Sequence, residues 1–371
     1  MLKGGRVLKI LYDYSAFVVQ AHGGVSRIMC EVIRRELARA DVDGRVFAGF
    51  HRNYELHKLG REFPRQVRAC LLPQTLVRQR LFLPVNQALF VPYAQRFAPD
   101  LCHHTYYQTP PVPPRTKVVI TVHDLILETL DPDKNHPEIR LRQQALRRAD
   151  GIICVSENTR ADLLRRYPVH DKPILVAHHG NSLRQTVAQA PEIATPYFLY
   201  VGLRGAAYKN FPLLLEAFAR HEQLRPYHLV CFGGENFTPA ELAAFRQAGL
   251  AGRILQRRGP DAVLAGWYQH ATALIYPSRY EGFGLPPLEA MGFGCPVLAS
   301  SAPPMPEISG DAALYFDPGS PAQLRAACNR LLTEDGLRAA LIARGQQREQ
   351  LFSWGKTARQ IHDFYRSLLP A

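Results

Sequence analysis

Short apolar runs rich in β-branched residues alternate with longer helical patterns along the whole chain. VLKILYDYS at 7–15 is followed by SRIMCEVIRRELAR at 26–39, and KVVITVHDL at 117–125 is followed by IRLRQQALRRAD at 139–150. Strands separated by helices of this length form βαβ units, in which the strands run parallel and helices cover both faces of the sheet. The sequence therefore predicts a doubly wound α/β fold.

The alternation begins again at PYFLYVGL, residues 196–203, after a polar and weakly patterned stretch at 181–196 that we take as a linker. Because 371 residues exceed the usual size of a single core, we expect two Rossmann-like domains, at 1–188 and 189–352. The remaining residues, 353–371, begin with a predicted amphipathic helix. Its apolar face carries Ile361, Phe364, Tyr365 and Leu368.

Composition excludes several classes of protein. With 47% hydrophobic and 21% charged residues, the chain has ordinary globular composition. Its seven cysteines are scattered, so we expect buried, reduced thiols, which suit the cytoplasm. Lys9 and Asp13 interrupt the apolar N-terminal run, which favours a first strand over a signal peptide. No apolar run reaches the ~18 residues of a membrane-spanning helix.

The net charge of +13 is concentrated in the N-terminal half. Residues 1–190 hold 28 Lys and Arg against 17 Asp and Glu, whereas the remaining residues hold 17 against 15. Such a field suits an anionic substrate, a nucleic acid or an acidic membrane surface, and it also fits a solvated face without a partner. No nucleic-acid-binding motif accompanies the charge, so we expect no nucleic acid partner. Peripheral contact with an anionic membrane is the hypothesis that we carry forward.

Two glutamates, Glu281 and Glu289, flank a glycine-containing helix start in YEGFGLPPLEAM. The amides at such a start are unpaired within the helix and lie at the positive end of its dipole, so they suit a phosphate. Glu289 lies about one turn into the helix, where its carboxylate can accept two hydrogen bonds from a ribose diol. A capped helix with solvated acids explains the same residues equally well.

Two further turns between strand and helix carry candidate ligands for phosphate. Arg204 and Lys209 follow the strand that ends near Gly202, at the edge where open α/β sheets bind ligands, and two cations suit a diphosphate. Loop cations are nevertheless usually solvated. In HGGVSRI at 22–28, Gly24 permits close backbone approach and Ser26 can cap the helix. The third glycine of a dinucleotide fingerprint is missing there, and a plain turn also fits.

His123 and Asp124 follow the apolar strand in TVHDLI. An imidazole at the end of a strand can donate a hydrogen bond to a sugar hydroxyl or transfer a proton, and a structural pairing with a carboxylate is the alternative. We assign Tyr106, Tyr107 and Asp124 to contacts with an acceptor. 

Patterns that suggest a metal are weak in this chain. The DxD matches at 41–43 and 131–133 lie in polar, turn-like stretches, and the doublets at 103–104 and 178–179 lack a third ligand. We therefore expect neither a metal nor another cofactor.

Five segments in order along the chain resemble glycosyltransferase family 4, the group 1 glycosyltransferases of bacterial polysaccharide synthesis. They are GGVSR at 23–27, TVHDL at 121–125, VSENTRADL at 155–163, YVGLRGAAYKNF at 200–211 and YPSRYEGFGLPPLEAMGFGCPVLAS at 276–300. The resemblance implies a GT-B fold, in which two Rossmann-like domains face each other across a cleft. It also implies a C-terminal helix that crosses back to the N-terminal domain, and transfer with retention of anomeric configuration.

The resemblance further implies roles for individual residues. The N-terminal domain would bind the acceptor, and the C-terminal domain the nucleotide sugar. Arg204 and Lys209 are expected to neutralise the diphosphate, His123 and Glu281 to lie near the transferred sugar, and Glu289 to bind ribose. Of these, His123, Glu281, Arg204 and Lys209 form the predicted catalytic set. Other residues expected to contact the nucleotide sugar are Gly24, Gly259, Asp261, Gly282, Phe283, Gly284 and Leu285.

The resulting expectation is a retaining hexosyltransferase that acts on a lipid-linked or oligosaccharide acceptor in surface polysaccharide synthesis, on the cytoplasmic face of the membrane. The YEGFGLPPLEA segment resembles mannosyltransferase-like members, which favours a GDP-mannose-type substrate over a UDP-sugar. A sugar-nucleotide epimerase or a disaccharide phosphorylase is the alternative within the fold. A non-catalytic scaffold that binds nucleotide sugars is the alternative of another class.

Overall fold

The computed structural model describes residues 6–21, 23–72, 82–130, 136–219 and 221–370. Contacts divide the chain into two compact units. The N-terminal unit comprises Met1–Gly180 and Trp354–Ala371, and the C-terminal unit comprises Asn181–Ser353. The division therefore falls eight residues before the first predicted boundary and one residue after the second. The ligand-binding roles assigned to the two domains remain predictions.

The N-terminal unit is built on a parallel sheet of seven strands in the order β3-β2-β1-β4-β5-β6-β7. The strands are β1 Leu8–Tyr12, β2 Val42–His51, β3 Val67–Leu71, β4 Leu101–His104, β5 Lys117–Val122, β6 Gly151–Cys154 and β7 Ile174–Val176. The helices are α1 Ser15–Val19, α2 Gly24–Leu37, α3 Tyr54–Glu62, α4 Phe82–Phe97, α5 Ile126–Leu130, α6 Pro137–Arg148, α7 Glu157–Arg166 and, at the end of the chain, α15 Trp354–Ser367.

The C-terminal unit repeats this architecture with six parallel strands in the order β10-β9-β8-β11-β12-β13. The strands are β8 Tyr197–Val201, β9 His228–Phe232, β10 Ile254–Arg257, β11 Ala273–Tyr276, β12 Val297–Ser300 and β13 Ala313–Phe316. The helices are α8 Phe211–Ala219, α9 Pro239–Gln247, α10 Asp261–His270, α11 Leu285–Gly292, α12 Met305–Ser309, α13 Pro321–Thr333 and α14 Leu337–Glu349. The predicted doubly wound fold is thus confirmed in both units.

Central strands are apolar along their whole length because helices cover both faces of each sheet. Phe198, Leu199 and Tyr200 of β8 are fully buried, and they alternate between the two core clusters of the C-terminal unit. This is why the continuous apolar runs of the sequence predict parallel strands correctly. Six of the seven cysteines are buried and all seven are free thiols, Cys70 being exposed.

Helix α15 packs within the N-terminal unit. Ile361 and Tyr365 are buried as predicted, and Phe364 and Leu368 lie over Gly151 at the start of β6. The buried His362 places Nδ1 2.9 Å from the Glu36 carboxylate of α2. The amphipathic pattern of the helix therefore predicts its apolar contacts, and a buried polar pair adds a specific one.

The stretch predicted as a linker is anchored to the C-terminal unit. Leu183 is fully buried in its core, and Gln189 donates a backbone hydrogen bond to Ala262. The polar composition of this stretch reflects its irregular backbone, which pairs with neighbouring elements and forms neither helix nor strand.

Candidate functional site

The strand order of each sheet reverses at one point, and open α/β sheets bind ligands outside the carboxyl ends of the strands at that point. In the C-terminal unit the reversal falls between β8 and β11. Arg204 and Lys209 follow β8, and Glu281 follows β11. The fold therefore brings Glu281 to the same edge of the sheet as the predicted pair of Arg204 and Lys209.

Lys209 and Glu281 form an ion pair, with Lys209 Nζ 2.7 Å from a carboxylate oxygen of Glu281. Lys209 also donates to the hydroxyl of Tyr276, at 3.1 Å, and its ammonium lies 5.1 Å from the centre of that ring. Burial, followed by the negative charge of Glu281 and a hydrogen bond to it, raises the pKa of Tyr276 well above its ordinary value. The phenol thus stays protonated, and it holds the two charged groups in one arrangement.

Arg204 is almost fully buried and its guanidinium has three partners within the unit. Nε donates to Glu241 at 2.7 Å, Nη1 donates to the side chain of Gln256, and Nη2 donates to the carbonyl of Glu235 at 2.7 Å. The guanidinium also lies over the Phe237 ring, 4.6 Å from its centre. The structure therefore shows Arg204 as part of an internal network, and its predicted contact with a diphosphate remains a prediction.

Helix α11 begins at Leu285, after Gly284 in a left-handed conformation with φ +104°. A side chain at residue 284 would also collide with Met305, because a Cβ atom there would lie 2.4 Å from the Met305 methyl group. The next two helical positions are prolines, which have no N–H. The contact of a ligand with Gly282, Phe283, Gly284 and Leu285 at this helix start remains a prediction.

Glu289 is buried on α11, where it accepts a hydrogen bond of 2.9 Å from the hydroxyl of Tyr268 on α10. Asp261 is the first residue of α10, and Gly259 lies between it and the carboxyl end of β10. Gly259 is exposed and Asp261 is partly exposed, so both remain accessible. The predicted ligand residues after β8, β10 and β11 thus all follow carboxyl ends of strands in one sheet.

The reversal point of the N-terminal sheet lies between β1 and β4, and a buried carboxylate connects the ends of these strands. Asp13 accepts hydrogen bonds from the imidazole of His104 at 2.7 Å, from the amide and hydroxyl of Thr105, and from Ser15. Burial alone would raise the pKa of Asp13, but the hydrogen bond from His104, the Coulomb interaction with that imidazole and the hydrogen bonds from Thr105 outweigh it, so the pKa is lowered. In the sequence, Asp13 stands out only as an interruption of the apolar run, because its partners His104 and Thr105 lie 91 and 92 residues away along the chain.

His123 follows β5, the strand next to β4, and its imidazole is buried beside the backbone of Thr105. Burial lowers its pKa to about 4, so the ring is neutral at physiological pH. A neutral imidazole keeps one N–H to donate and one nitrogen to accept. His123 is thus equipped to bind a hydroxyl group.

The three residues predicted to contact an acceptor differ in their exposure and in their hydrogen-bond partners. The hydroxyl of Tyr107 accepts from the His123 backbone amide at 3.4 Å, and Tyr107 is only 2% exposed. Tyr107 thus holds the backbone of His123, and its contact with an acceptor remains a prediction. Tyr106 donates to Glu138 at 2.7 Å, and Asp124 accepts from the amide of Ile126; both are partly exposed.

Gly24 is the first residue of α2 and is exposed, with open space where a side chain would lie. The predicted cap is different in the structure. Ser26 donates its hydroxyl back to Gly23, and the side chain of Gln20 accepts from the Ser26 amide. Ser26 lies too far into the helix to cap it. Gln20, from the preceding loop, accepts the hydrogen bond of a helix-start amide instead.

Among the residues that the structure describes, no group of three or more His, Cys, Asp or Glu side chains is arranged to hold a metal ion. Asp41 pairs with Arg39 and Arg366, and Asp43, which lies within β2 and not in a turn, pairs with Arg45. The second DxD match, at 131–133, lies outside the described residues. His103 and His104 face different partners, namely Tyr365 and Asp13.

Solved structures share this fold over nearly the whole chain. Sucrose-phosphate synthase from Thermosynechococcus elongatus matches with a TM-score of 0.76 at 21% identity, covering 97% of this chain and 99% of that one. HepE from Anabaena, solved in complex with UDP and glucose, matches with a TM-score of 0.74 at 17% identity, covering 97% and 100%. The two Rossmann-like units therefore define a protein of the GT-B glycosyltransferase fold.

Two family models match successive parts of the chain. The model of Glycosyltransferase Family 4 covers residues 22–184, and that of Glycosyl transferases group 1 covers residues 186–348. The chain belongs to glycosyltransferase family 4 and is a glycosyltransferase.

Similar curated proteins include mannosyltransferases. O-antigen chain mannosyltransferase B of Escherichia coli is 29% identical over 80% of this chain and 81% of its own length. The serotype-specific mannosyltransferase WbdA of Escherichia coli is 33% identical over 68% of this chain, which spans only 34% of WbdA. D-inositol 3-phosphate glycosyltransferase of Corynebacterium jeikeium is 29% identical over 65% of this chain and 63% of its own length.

Proposed function

We propose that this glycosyltransferase moves a hexose from a nucleotide diphosphate sugar to a lipid-linked or oligosaccharide acceptor in the synthesis of a surface polysaccharide. The observation that carries the proposal is the group of Arg204, Lys209 and Glu281 at the reversal point of the C-terminal sheet. The similarity to O-antigen mannosyltransferase B and WbdA supports surface polysaccharide as the product. It also favours GDP-mannose over a UDP-sugar as the donor substrate.

The chemistry proposed for this group is stabilisation of the leaving nucleoside diphosphate. Negative charge accumulates on that group in the transition state, and preorganised cations are worth more there than in water. Lys209 is already fixed by Glu281 and Tyr276, and Arg204 by its own network, so little reorganisation is required. We propose that these cations act without a metal ion.

We further propose transfer with retention of configuration, in which an oxygen of the donor phosphate accepts the proton of the attacking hydroxyl. No dedicated base is then required of the protein. In the N-terminal unit, the neutral His123 would donate a hydrogen bond to a sugar hydroxyl. In the C-terminal unit, Glu289, held by Tyr268, would accept hydrogen bonds from the ribose.

The test is calorimetric binding of UDP and GDP to the purified protein without added metal, followed by their hexose conjugates. We expect GDP to bind more tightly than UDP. We also expect slow hydrolysis of GDP-mannose by water, and transfer of its hexose when a candidate acceptor is supplied. Tight binding of UDP alone would correct the choice of donor substrate. Binding without any turnover would favour the scaffold, whereas interconversion of the free nucleotide sugar or phosphorolysis would favour the epimerase or the phosphorylase.

A second proposal concerns the membrane. The 37 residues from Phe63 to Pro99 contain five arginines and no acidic residue. In the part that the structure describes, β3 is an edge strand with four of its five residues exposed. Leu71 on β3, and Val85 and Leu89 on α4, are each more than 40% exposed.

Exposed apolar side chains on a segment that carries arginines and no acids of its own suit an anionic lipid surface, which offers negative headgroups above an apolar interior. Arg68 of β3 hydrogen-bonds Tyr93 of α4, so the strand and the helix lie side by side. We therefore propose that the surface formed by β3 and α4 binds the cytoplasmic face of an anionic membrane peripherally. Within the described residues, no helix is long and apolar enough to span a membrane.

A further inference from the structure

Glu241 links the start of α9 to the guanidinium of Arg204. One carboxylate oxygen accepts the 2.7 Å hydrogen bond from Arg204 Nε. The other accepts from the amide of Thr238 at 2.8 Å and from its hydroxyl at 3.0 Å, which closes a capping box at the helix start. The carboxylate is therefore fixed by the helix, and it fixes the arginine in turn.

Gln256 completes this arrangement from the neighbouring strand β10. Its side-chain oxygen accepts from Arg204 Nη1, while its side-chain nitrogen donates to the carbonyl of Gly233 at 2.7 Å. The guanidinium thus connects the carboxyl ends of β8, β9 and β10. Because three neighbouring strand ends supply the contacts, the orientation of Arg204 is set by the sheet itself.

Arginine has five N–H groups, and the described residues accept from three of those of Arg204. Nη1 and Nη2 each keep one N–H for another acceptor. Gly234 lies beside Nη1, where a Cβ atom would be in van der Waals contact with that nitrogen at 3.6 Å. Its φ of +73° also favours glycine. The network therefore orients the guanidinium while leaving donors unused on both terminal nitrogens.

We propose that Glu241 is a positioning residue for the diphosphate of the donor substrate, which acts by holding Arg204 with these two N–H groups directed at the phosphates. The inference rests on the proposed function, because it assumes that Arg204 binds the diphosphate. Glu241 is negatively charged and would be repelled by the diphosphate, so its proposed effect on binding is indirect.

The direction in which diphosphate affinity changes when Glu241 is removed distinguishes positioning of Arg204 from simple electrostatics. Removal of a carboxylate makes its surroundings more positive, and by Coulomb attraction alone this would tighten the binding of a diphosphate. If Glu241 positions Arg204, its removal weakens the binding instead, because the guanidinium loses its fixed orientation. The two explanations therefore predict opposite changes in affinity.

The experiment measures the affinity of the full-length protein for GDP or UDP, whichever binds the wild type more tightly, and for the matching nucleoside by competition. Glu241→Ala is expected to weaken diphosphate binding about tenfold or more, which is the lower end of the range for a hydrogen bond to a charged group. Binding of the nucleoside is expected to change less than about twofold by the same reasoning, since it lacks the phosphates. Arg204→Ala is expected to show the same selective loss.

Two variants serve as matched controls. Thr238→Ala removes the capping hydroxyl but leaves the Glu241 carboxylate beside Arg204, so its diphosphate affinity should match the wild type. Glu241→Gln has one acceptor oxygen in place of two, so it can accept from Arg204 or close the capping box but not both, and it should recover only part of the affinity. Unchanged or tighter diphosphate binding by Glu241→Ala, or an equal loss for the nucleoside, would overturn the inference. Absence of diphosphate binding by the wild type would instead overturn the proposed function, and this inference with it.

Discussion

At the scale of single residues, burial determines the charge of several histidines in the N-terminal unit. Burial lowers the pKa of His51 to about 4, with a contribution from His57, and it also lowers the pKa of His103 to about 3 and of His123 to about 4. Each ring is therefore neutral in the folded protein at physiological pH. His51 is the best probe of this effect because it lies outside the proposed site.

His51→Asn should make the protein less sensitive to acid. The unfolded chain binds a proton on His51 near pH 6.5, whereas the folded protein does so only near pH 4, so stability is lost as the pH falls through this window. The loss is up to about 1.4 kcal/mol per pH unit for one group. Asparagine keeps an acceptor for the Asn53 amide, which donates to His51 at 3.1 Å. Guanidinium unfolding at pH 7.5 and pH 5.0 measures the effect, and an equal pH dependence in both proteins would contradict it.

At the scale of elements, an ion pair that connects α5 and α6 supports the backbone of His123. Arg142 of α6 is 1% exposed and pairs with Glu128 of α5, which also accepts from Tyr167. The guanidinium lies 4.4 Å from the centre of the Tyr107 ring, whose hydroxyl holds the His123 amide. This pair therefore stabilises the unit and supports the predicted site.

Arg142→Met should destabilise the protein strongly, because it leaves the Glu128 carboxylate buried without its cation. The typical cost of breaking a buried ion pair on one side is about 3–5 kcal/mol. The double variant Arg142→Met with Glu128→Gln should recover much of the loss, since no buried charge remains. Equilibrium unfolding in denaturant measures all three proteins. A single variant within about 1 kcal/mol of the wild type would show that the pair is not needed.

Helix α4 shows how a helix can escape prediction from sequence. Its pattern has no clear apolar stripe, and it contains Pro92 in its interior. Its position depends on the buried Asn86, whose side chain accepts from the Phe50 amide and donates to the Phe50 carbonyl, both at 2.9 Å. These bonds lie at an irregularity in the pairing of β2 with β3. The contact of Asn86 with the Phe50 backbone forms only in the tertiary structure, and the local sequence pattern does not predict it.

At the scale of the whole molecule, the uneven charge has a testable consequence. Sedimentation with vesicles should show binding to phosphatidylcholine mixed with phosphatidylglycerol, and little binding to phosphatidylcholine alone. Binding should weaken as salt is raised, because salt screens exposed charges over a Debye length of about 8 Å at 0.15 M ionic strength. Binding that ignores lipid charge and salt would contradict the proposal.

A pair of variants tests which surface is involved. Leu89→Asp places a negative charge on the exposed face of α4, and Leu242→Asp does the same on the exposed face of α9 in the C-terminal unit; the two leucines are similarly exposed, at 47% and 42%. We expect the first variant to reduce vesicle binding and the second to leave it unchanged. An equal reduction of vesicle binding in both variants would contradict the assignment of the membrane-binding surface to β3 and α4.

The sequence by itself determined the doubly wound fold of both units, because strands buried on both faces must be apolar and the helices between them must be amphipathic. It also placed Arg204, Lys209 and Glu281 after strands of the second sheet and His123 after a strand of the first, and within each sheet the carboxyl ends of parallel strands share one edge. The tertiary structure alone decided which groups surround them. Glu241 lies 37 residues from Arg204, and His104 lies 91 residues from Asp13. Such partners meet only through the order of the strands, and side chains at that separation leave no periodic signal in the sequence.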